Sequence, residues 1–333
     1  MLAAITMPAA TMPAAVTIPF VAHVEVWVLV AGVLALGWYT AHVVQPKAVA
    51  TGHPPISRFQ KAAFVLALLG MWAASDWPVH EVAEQYLYFV HMFQHLFLSM
   101  LVPLLFVLAT PRWLFELLIV PGTPVWRFFR TGSRPLVAGV VFNVLTMLLH
   151  WSRLVQLSAD NGAAHFGLHV LIFVSGLLMW MPVFGPVEEW RLGPLGQCFY
   201  LFAMSIVPTV PGGWLVFAEG VVYPHYDTPD RLWGIGVLTD QQAAGVVMKL
   251  VGGFLLWAII FFIFIRWASA EMAKDERERT ERQRAAREAR AVDEAGPVVV
   301  DLADLTDPTG GEVLTYEQVS REFARTPPAP EER

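Results

Sequence analysis

Two histidine pairs in this chain are spaced four residues apart, His91 with His95 and His165 with His169, and each pair lies in a long apolar run. That spacing projects both imidazoles of a pair from one helix face, where they can share an ion. His150, one turn after Met147, adds a further imidazole and a thioether. Neutral imidazole ligates copper, zinc, iron and nickel, and the neutral form is the one favoured where the dielectric is low. Met92 falls on a different helix face from the His91/His95 pair, which leaves Met147 as the better soft-donor candidate. A zinc peptidase needs a glutamate directly after the first histidine, and Met92 occupies that place in His91-Met92-Phe93-Gln94-His95. Haem is the rival cofactor, because imidazoles on two helices can ligate iron from both faces of the ring. Four residues of helix rise only ~6 Å, too little for two stacked haems, so one haem is the most such a site would hold.

The first pair belongs to a longer stripe. Glu84, Tyr88, His91, His95 and Ser99 recur at offsets of three and four, so one continuous helix would carry them all on one face. Ionisable groups at membrane depth are costly and usually face a bundle interior or a wet cavity, which makes the stripe a candidate site. The plainer alternative is a pair of core histidines hydrogen-bonded to their neighbours.

The surroundings are those of a membrane protein. The 333 residues are 56% hydrophobic and 15% charged, with 13 Trp and 22 Phe. The formal charge of -6 is dispersed over loops and tail and gives nucleic-acid binding no support. Cys198 is the single cysteine, which excludes a disulfide framework and a CxxC site. Residues 1–20 lack Lys and Arg, so they lack the charged start of a signal peptide and read as a flexible non-cytoplasmic leader. Met7-Pro8 and Met12-Pro13 are soft donors there, or incidental methionines.

About 20 apolar residues span the hydrocarbon of a bilayer, and such segments fall near 21–43, 59–77, 83–109, 135–151, 162–183, 195–218 and 240–267. The expected fold is therefore all-α, a polytopic membrane bundle of about seven transmembrane helices occupying residues 21–268. The segment from Trp113 to Phe129 reads as interfacial. Lys47, Arg58, Lys61, Arg112, Arg127, Arg130, Arg134, Arg191 and the basic tail share one set of loops, against Arg153 and Arg231 in the other. The positive-inside rule then places the N-terminus outside and the C-terminus in the cytoplasm. On that orientation eight of the ten histidines lie on the outer side, and only His42 and His53 lie inside.

Pro208, Pro211, Gly212 and Gly213 should kink the sixth span. The loop Val221 to Asp227 is aromatic and polar, a lid over the histidine layer or an interfacial belt. Thr239 reads as the cap of the last span, with Ala244, Gly245, Gly252 and Gly253 small enough for close helix packing. Residues 269–293 read as a charged cytoplasmic helical extension and 294–333 as a disordered acidic tail. Within that tail a capping-box start at Thr315 precedes Val319 and Phe323, which would suit docking of a partner.

The sequence His91-Met92-Phe93-Gln94-His95, followed by Leu101-Val102-Pro103-Leu104-Leu105, Ala109-Thr110-Pro111 and His150-Trp151, is one part of a longer ordered pattern. His169 before Gly176-Leu177-Leu178-Met179-Trp180, then Tyr223-Pro224-His225-Tyr226 and Asp240-Gln241-Gln242-Ala243-Ala244-Gly245, complete it. Together these motifs resemble the CtaG family of cytochrome c oxidase assembly factors over roughly residues 55–268. The resemblance implies a non-enzymatic protein of the bacterial plasma membrane that binds copper and assists maturation of a haem-copper oxidase subunit. It marks His91, His95, His150 and His169 as metal ligands, and Tyr223, Tyr226, Asp240 and Gln241 as supporting residues. Glu84, Tyr88, Met147 and His165 join the supporting set from the stripe and spacing arguments. The family pattern implies an acidic residue before His169, where Leu168 stands, so Asp240 or His165 would have to replace it. The alternatives are a b-type haem protein of an electron-transfer chain and a transporter of a small solute or metal.

Overall fold

Leu87 interrupts what hydropathy alone reads as one long helix. In the computed structural model, which describes residues 17–295 and 320–321, Leu87 is extended, with φ -133° and ψ 111°. The segment before it belongs to a different helix from the segment after it. The described chain is helical throughout, with no strand among the described residues. In order it forms α1 (Val24–Ala50), α2 (Arg58–Ser75), α3 (Val79–Tyr86), α4 (Tyr88–Ala109), α5 (Arg112–Leu118) and α6 (Pro124–Gly132). Then follow α7 (Pro135–Leu149), α8 (Ser152–Asp160), α9 (Gly162–Phe184), α10 (Pro194–Val216) and α11 (Val237–Ala295).

Five of these helices, α1, α4, α9, α10 and α11, are long and apolar enough to cross a membrane. The number reaches seven if each of two bent pairs is one span: α2 with α3, bent by 50°, and α6 with α7, bent by 83°. The expected third span, 83–109, therefore begins only at Tyr88, and residues 83–86 belong to α3. Side chains such as Leu136, Phe199, Phe254 and Phe261 point outward. An apolar exterior of this extent is what lipid, not water, would cover.

The local sequence explains most helix ends. Ser57 and Gln60 form a reciprocal capping box at the start of α2, at 3.1 and 2.9 Å. Asn161 Oδ1 accepts the Ala164 amide at 3.0 Å and starts α9. Thr239, expected as a cap, lies inside α11, which begins two residues earlier. Pro208 sits at the break within α10, as the kink reading anticipated.

The centre of α4 is widened into a π-helical turn over Phe97–Leu101. Pro103 lacks the N–H that would have bonded the Ser99 carbonyl, so this is where the helix ladder must yield. Gly176 of α9 packs directly on that freed carbonyl, so closely that a β-carbon would collide with it. Gly212 of α10 and Gly245 of α11 cross at similarly close range. Gly253 has open space where a side chain would stand, so it is not a packing contact.

The main core joins α4, α7, α9, α10 and α11 through Met100, Leu104, Phe142, Met179, Trp180, Leu201 and Leu256. Trp180 Nε1 donates to the Met100 carbonyl at 2.8 Å, tying α9 to the π turn. A second core packs α2 on α4. A third packs α4 beneath Tyr223 and Tyr226 of the loop between α10 and α11.

The chain divides into two compact units, residues 1–268 and 269–333. The described part of the second is the exposed end of α11, with ion pairs at i,i+3 and i,i+4 such as Glu271 with Lys274 and Arg284 with Glu288, together with Ser320 and Arg321. Surface pairs of this kind contribute a few tenths of a kcal/mol each, about 0.3–0.5. The leader methionines Met7 and Met12, and the Thr315 to Phe323 docking segment, lie outside the described residues apart from Ser320 and Arg321.

Candidate metal centre

Six imidazoles form a continuous row. Ring centroids are 4.7 Å apart from His23 to His80, 5.7 Å from His80 to His165 and 4.4 Å from His165 to His169. The row continues at 4.9 Å from His169 to His95 and 4.3 Å from His95 to His91. The N-terminal end of α1, α3, the first turns of α4 and the first turns of α9 each contribute rings. The two i,i+4 pairs therefore meet across the interface between α4 and α9.

Glu84 is the carboxylate of this row. His91 Nδ1 donates to Glu84 Oε1 at 2.8 Å, and His165 Nδ1 lies 3.4 Å from Glu84 Oε2. A histidine held by a carboxylate at Nδ1 keeps Nε2 as its lone-pair nitrogen, the arrangement of many metal-bound imidazoles. His80, Glu84 and His165 also place one ligand atom each within 4.8 Å of one another. Among the described residues, His165 Nε2 and His169 Nε2 are buried without a hydrogen-bond partner. Buried polar atoms are nearly always paired, so two orphaned imidazole nitrogens in one row suit a bound cation.

His80 lies between the second and third expected spans and is not among the ligands that the resemblance marks. The bend between α2 and α3 brings it into the row, where Gln94 Nε2 donates to its Nδ1 at 3.0 Å. The excess of histidines in one set of loops was the signal that could have included both His80 and His23.

His150 is not stacked in the row, but it lines one cavity with His95. Its Nδ1 donates to the Thr146 carbonyl at 2.6 Å, and its Nε2 lies 3.3 Å from Met92 Sδ. A cavity of about 50 Å³ beside it is lined by His95, Ser99, Met92, Met204 and Met248. That is room for an ion with a few waters. A smaller cavity of about 20 Å³ lies among Glu84, His91, His95, His169, His225 and Tyr226. Met147, the expected soft donor, is 39% exposed, whereas Met92 is 3% exposed. Met92, rather than Met147, is the thioether that faces an imidazole: on α4 it points at His150 at the end of α7 and not along the face that holds His91 and His95.

The loop between α10 and α11 is a lid. Tyr223 Oη donates to the His150 carbonyl at 2.8 Å, and Tyr226 Oη donates to the Ala83 carbonyl at 3.0 Å. His225 Nε2 donates to the Glu84 carbonyl at 2.8 Å. Gln241 holds the loop from below, accepting from Val222 N at 2.8 Å and donating to the Tyr223 carbonyl at 3.2 Å. Tyr88 stacks on the His91 ring at 5.6 Å with 16° between planes.

Asp240 does not replace the acidic residue missing before His169. Its Oδ2 and Oδ1 accept the amides of Tyr88 and Phe89 at 2.8 and 3.0 Å, capping α4 from the far end of the sequence. The carboxylate that meets the imidazoles comes from Glu84 instead.

The fold and the site together define an all-helical protein with five to seven candidate membrane spans, in which a row of buried and half-buried histidine rings lies beneath a tyrosine-anchored lid. The chain belongs to the cytochrome c oxidase caa3 assembly factor family (Caa3_CtaG), whose model matches residues 37–270. No curated protein and no solved structure matched the chain.

Proposed function

We propose that this member of the assembly-factor family carries copper to a haem-copper oxidase subunit in the bacterial plasma membrane, without itself being an enzyme. The observation that carries the reading is the row of imidazoles ending in His169, His95 and His91, with two buried ring nitrogens lacking partners. Imidazole suits copper, and a series of closely spaced ligands lets an ion move by exchange without meeting hydrocarbon. His80, Glu84 and His165 receive the ion, and His169, His95 and His91 hold it beneath the lid. The distribution of Lys and Arg supports an orientation with the histidine side facing out and the C-terminus in the cytoplasm. The small volume of both cavities favours an ion over a porphyrin.

The test is metal analysis of the detergent-purified protein combined with oxidase assays on membranes from cells lacking it. Copper without haem, and an oxidase deficient in copper in the deletion strain, is the expected result. A Soret band, or copper-replete oxidase in the deletion strain, would overturn the reading.

A further inference from the structure

His150 and Met92 face each other in a way that lacks a proton. The Thr146 carbonyl can only accept a hydrogen bond, so at 2.6 Å the proton of a neutral His150 must sit on Nδ1. Nε2 then presents a lone pair, and what it faces at 3.3 Å is the thioether sulfur of Met92, which has lone pairs and no hydrogen. Both side chains are buried. Two acceptors brought together in an apolar interior need something positive between them. A second proton on the ring would put a buried charge beside two neutral groups, the Thr146 carbonyl and the Met92 thioether, which is costly.

We infer that His150 Nε2 and Met92 Sδ are two ligands of a soft monovalent cation, Cu(I), at a site separate from the imidazole row. Thioether with imidazole is a donor set that selects Cu(I) over the harder divalent ions. The backbone bond at Nδ1 fixes the tautomer and orients the ring, as outer-shell partners of metal-bound histidines do. The neighbouring cavity gives the ion room, and His95 at its wall connects it to the row. Met204 lines the same cavity, but its sulfur already accepts from Asn143 Nδ2 at 3.3 Å, so it offers no comparable vacancy. The inference deepens the copper reading above by stating where the reduced ion sits, and it can stand if that reading falls.

The experiment loads the full-length, detergent-purified protein with Cu(I) under anaerobic conditions and records X-ray absorption at the copper edge for wild type and Met92→Leu. Leucine preserves volume, so the fold should survive. The expected result is a sulfur scatterer in the wild type, its loss in the variant, and at least about a 10-fold fall in Cu(I) affinity measured against a competing chelator. Copper surrounded only by nitrogen and oxygen in the wild type would overturn the site, as would a Met92→Leu protein with unchanged sulfur scattering and affinity. A measurement without any variant is protection from peroxide: Ag(I) should shield Met92 from sulfoxidation, read by peptide mass spectrometry, while leaving Met147 reactive. Oxidation of Met92 undiminished by Ag(I) would count against the site. If the sulfur signature depends on Met92 while membranes from cells lacking the protein still hold copper-replete oxidase, the site stands and the cargo reading fails.

Discussion

Gly176 of α9 lies against the Ser99 carbonyl of α4, backbone on backbone, with Pro103 beside it. That contact sets the separation of the two helices that carry the paired histidines. Gly176→Ala should cost about 1–3 kcal/mol through overpacking and should lower metal occupancy as the rings part. Gly167 on the same helix has open space, so Gly167→Ala should be neutral or stabilising by up to about 1 kcal/mol. Thermal melts in detergent distinguish the two, and equal effects would show that the close approach does not matter.

His91→Ala combined with His95→Ala should lower copper stoichiometry and oxidase maturation by more than its loss of stability explains. The change removes the His91 bond to Glu84 and the ring contacts with Tyr88 and His169, but interhelical hydrogen bonds in membrane bundles average only ~0.6 kcal/mol. Copper content and melting temperature on the same preparation test this. A variant with wild-type copper and full oxidase activity would remove these residues from the mechanism.

Asp240→Ala should destabilise the protein by about 1–2 kcal/mol, because it strands the amides of Tyr88 and Phe89 at a helix start. Asp240→Asn retains one acceptor and should lose less. Hydrogen exchange at Tyr88 and Phe89 is the direct readout, and it should accelerate most in the alanine variant.

Alkaline pH should loosen the lid. Burial pushes the Tyr223 hydroxyl up to about 12, above its ordinary value of 10.0, and burial likewise raises Tyr226. A raised folded value means that the stabilisation is fully present below about pH 10 and is lost as pH rises towards 12. Melting temperature should therefore fall across that interval. Tyr223→Phe should show a shallower fall, after an initial loss of about 0.5–1.5 kcal/mol from the missing bond to the His150 carbonyl.

The helical class and the family were legible because hydropathy and motif order are properties of the chain itself, whereas aromatic composition left the Val221 to Asp227 loop open between a lid and an interfacial belt. The break at Leu87 was not legible, since Tyr86-Leu87-Tyr88 holds neither glycine nor proline and the carboxylate that caps the new helix start, Asp240, is remote. The stripe from Glu84 to Ser99 presupposed one uninterrupted helix. Glu84 reaches His91 nonetheless, but from α3 across the break. Met92 was discounted because its face differs from that of His91. The packing of α7 against that second face was invisible to a pattern drawn on one helix.

The carboxylate of Asp240 also has an electrostatic consequence. The beginning of a helix behaves as roughly half a positive charge, falling off within its first turn, and His91 lies just inside α4. Left bare, that end would repel an arriving cation and attract anions instead. Asp240, itself 4.0 Å from the Arg231 guanidinium, caps that end by accepting the Tyr88 and Phe89 amides, so His91 and His95 stand on the first turns of α4 without a bare positive helix end beside them.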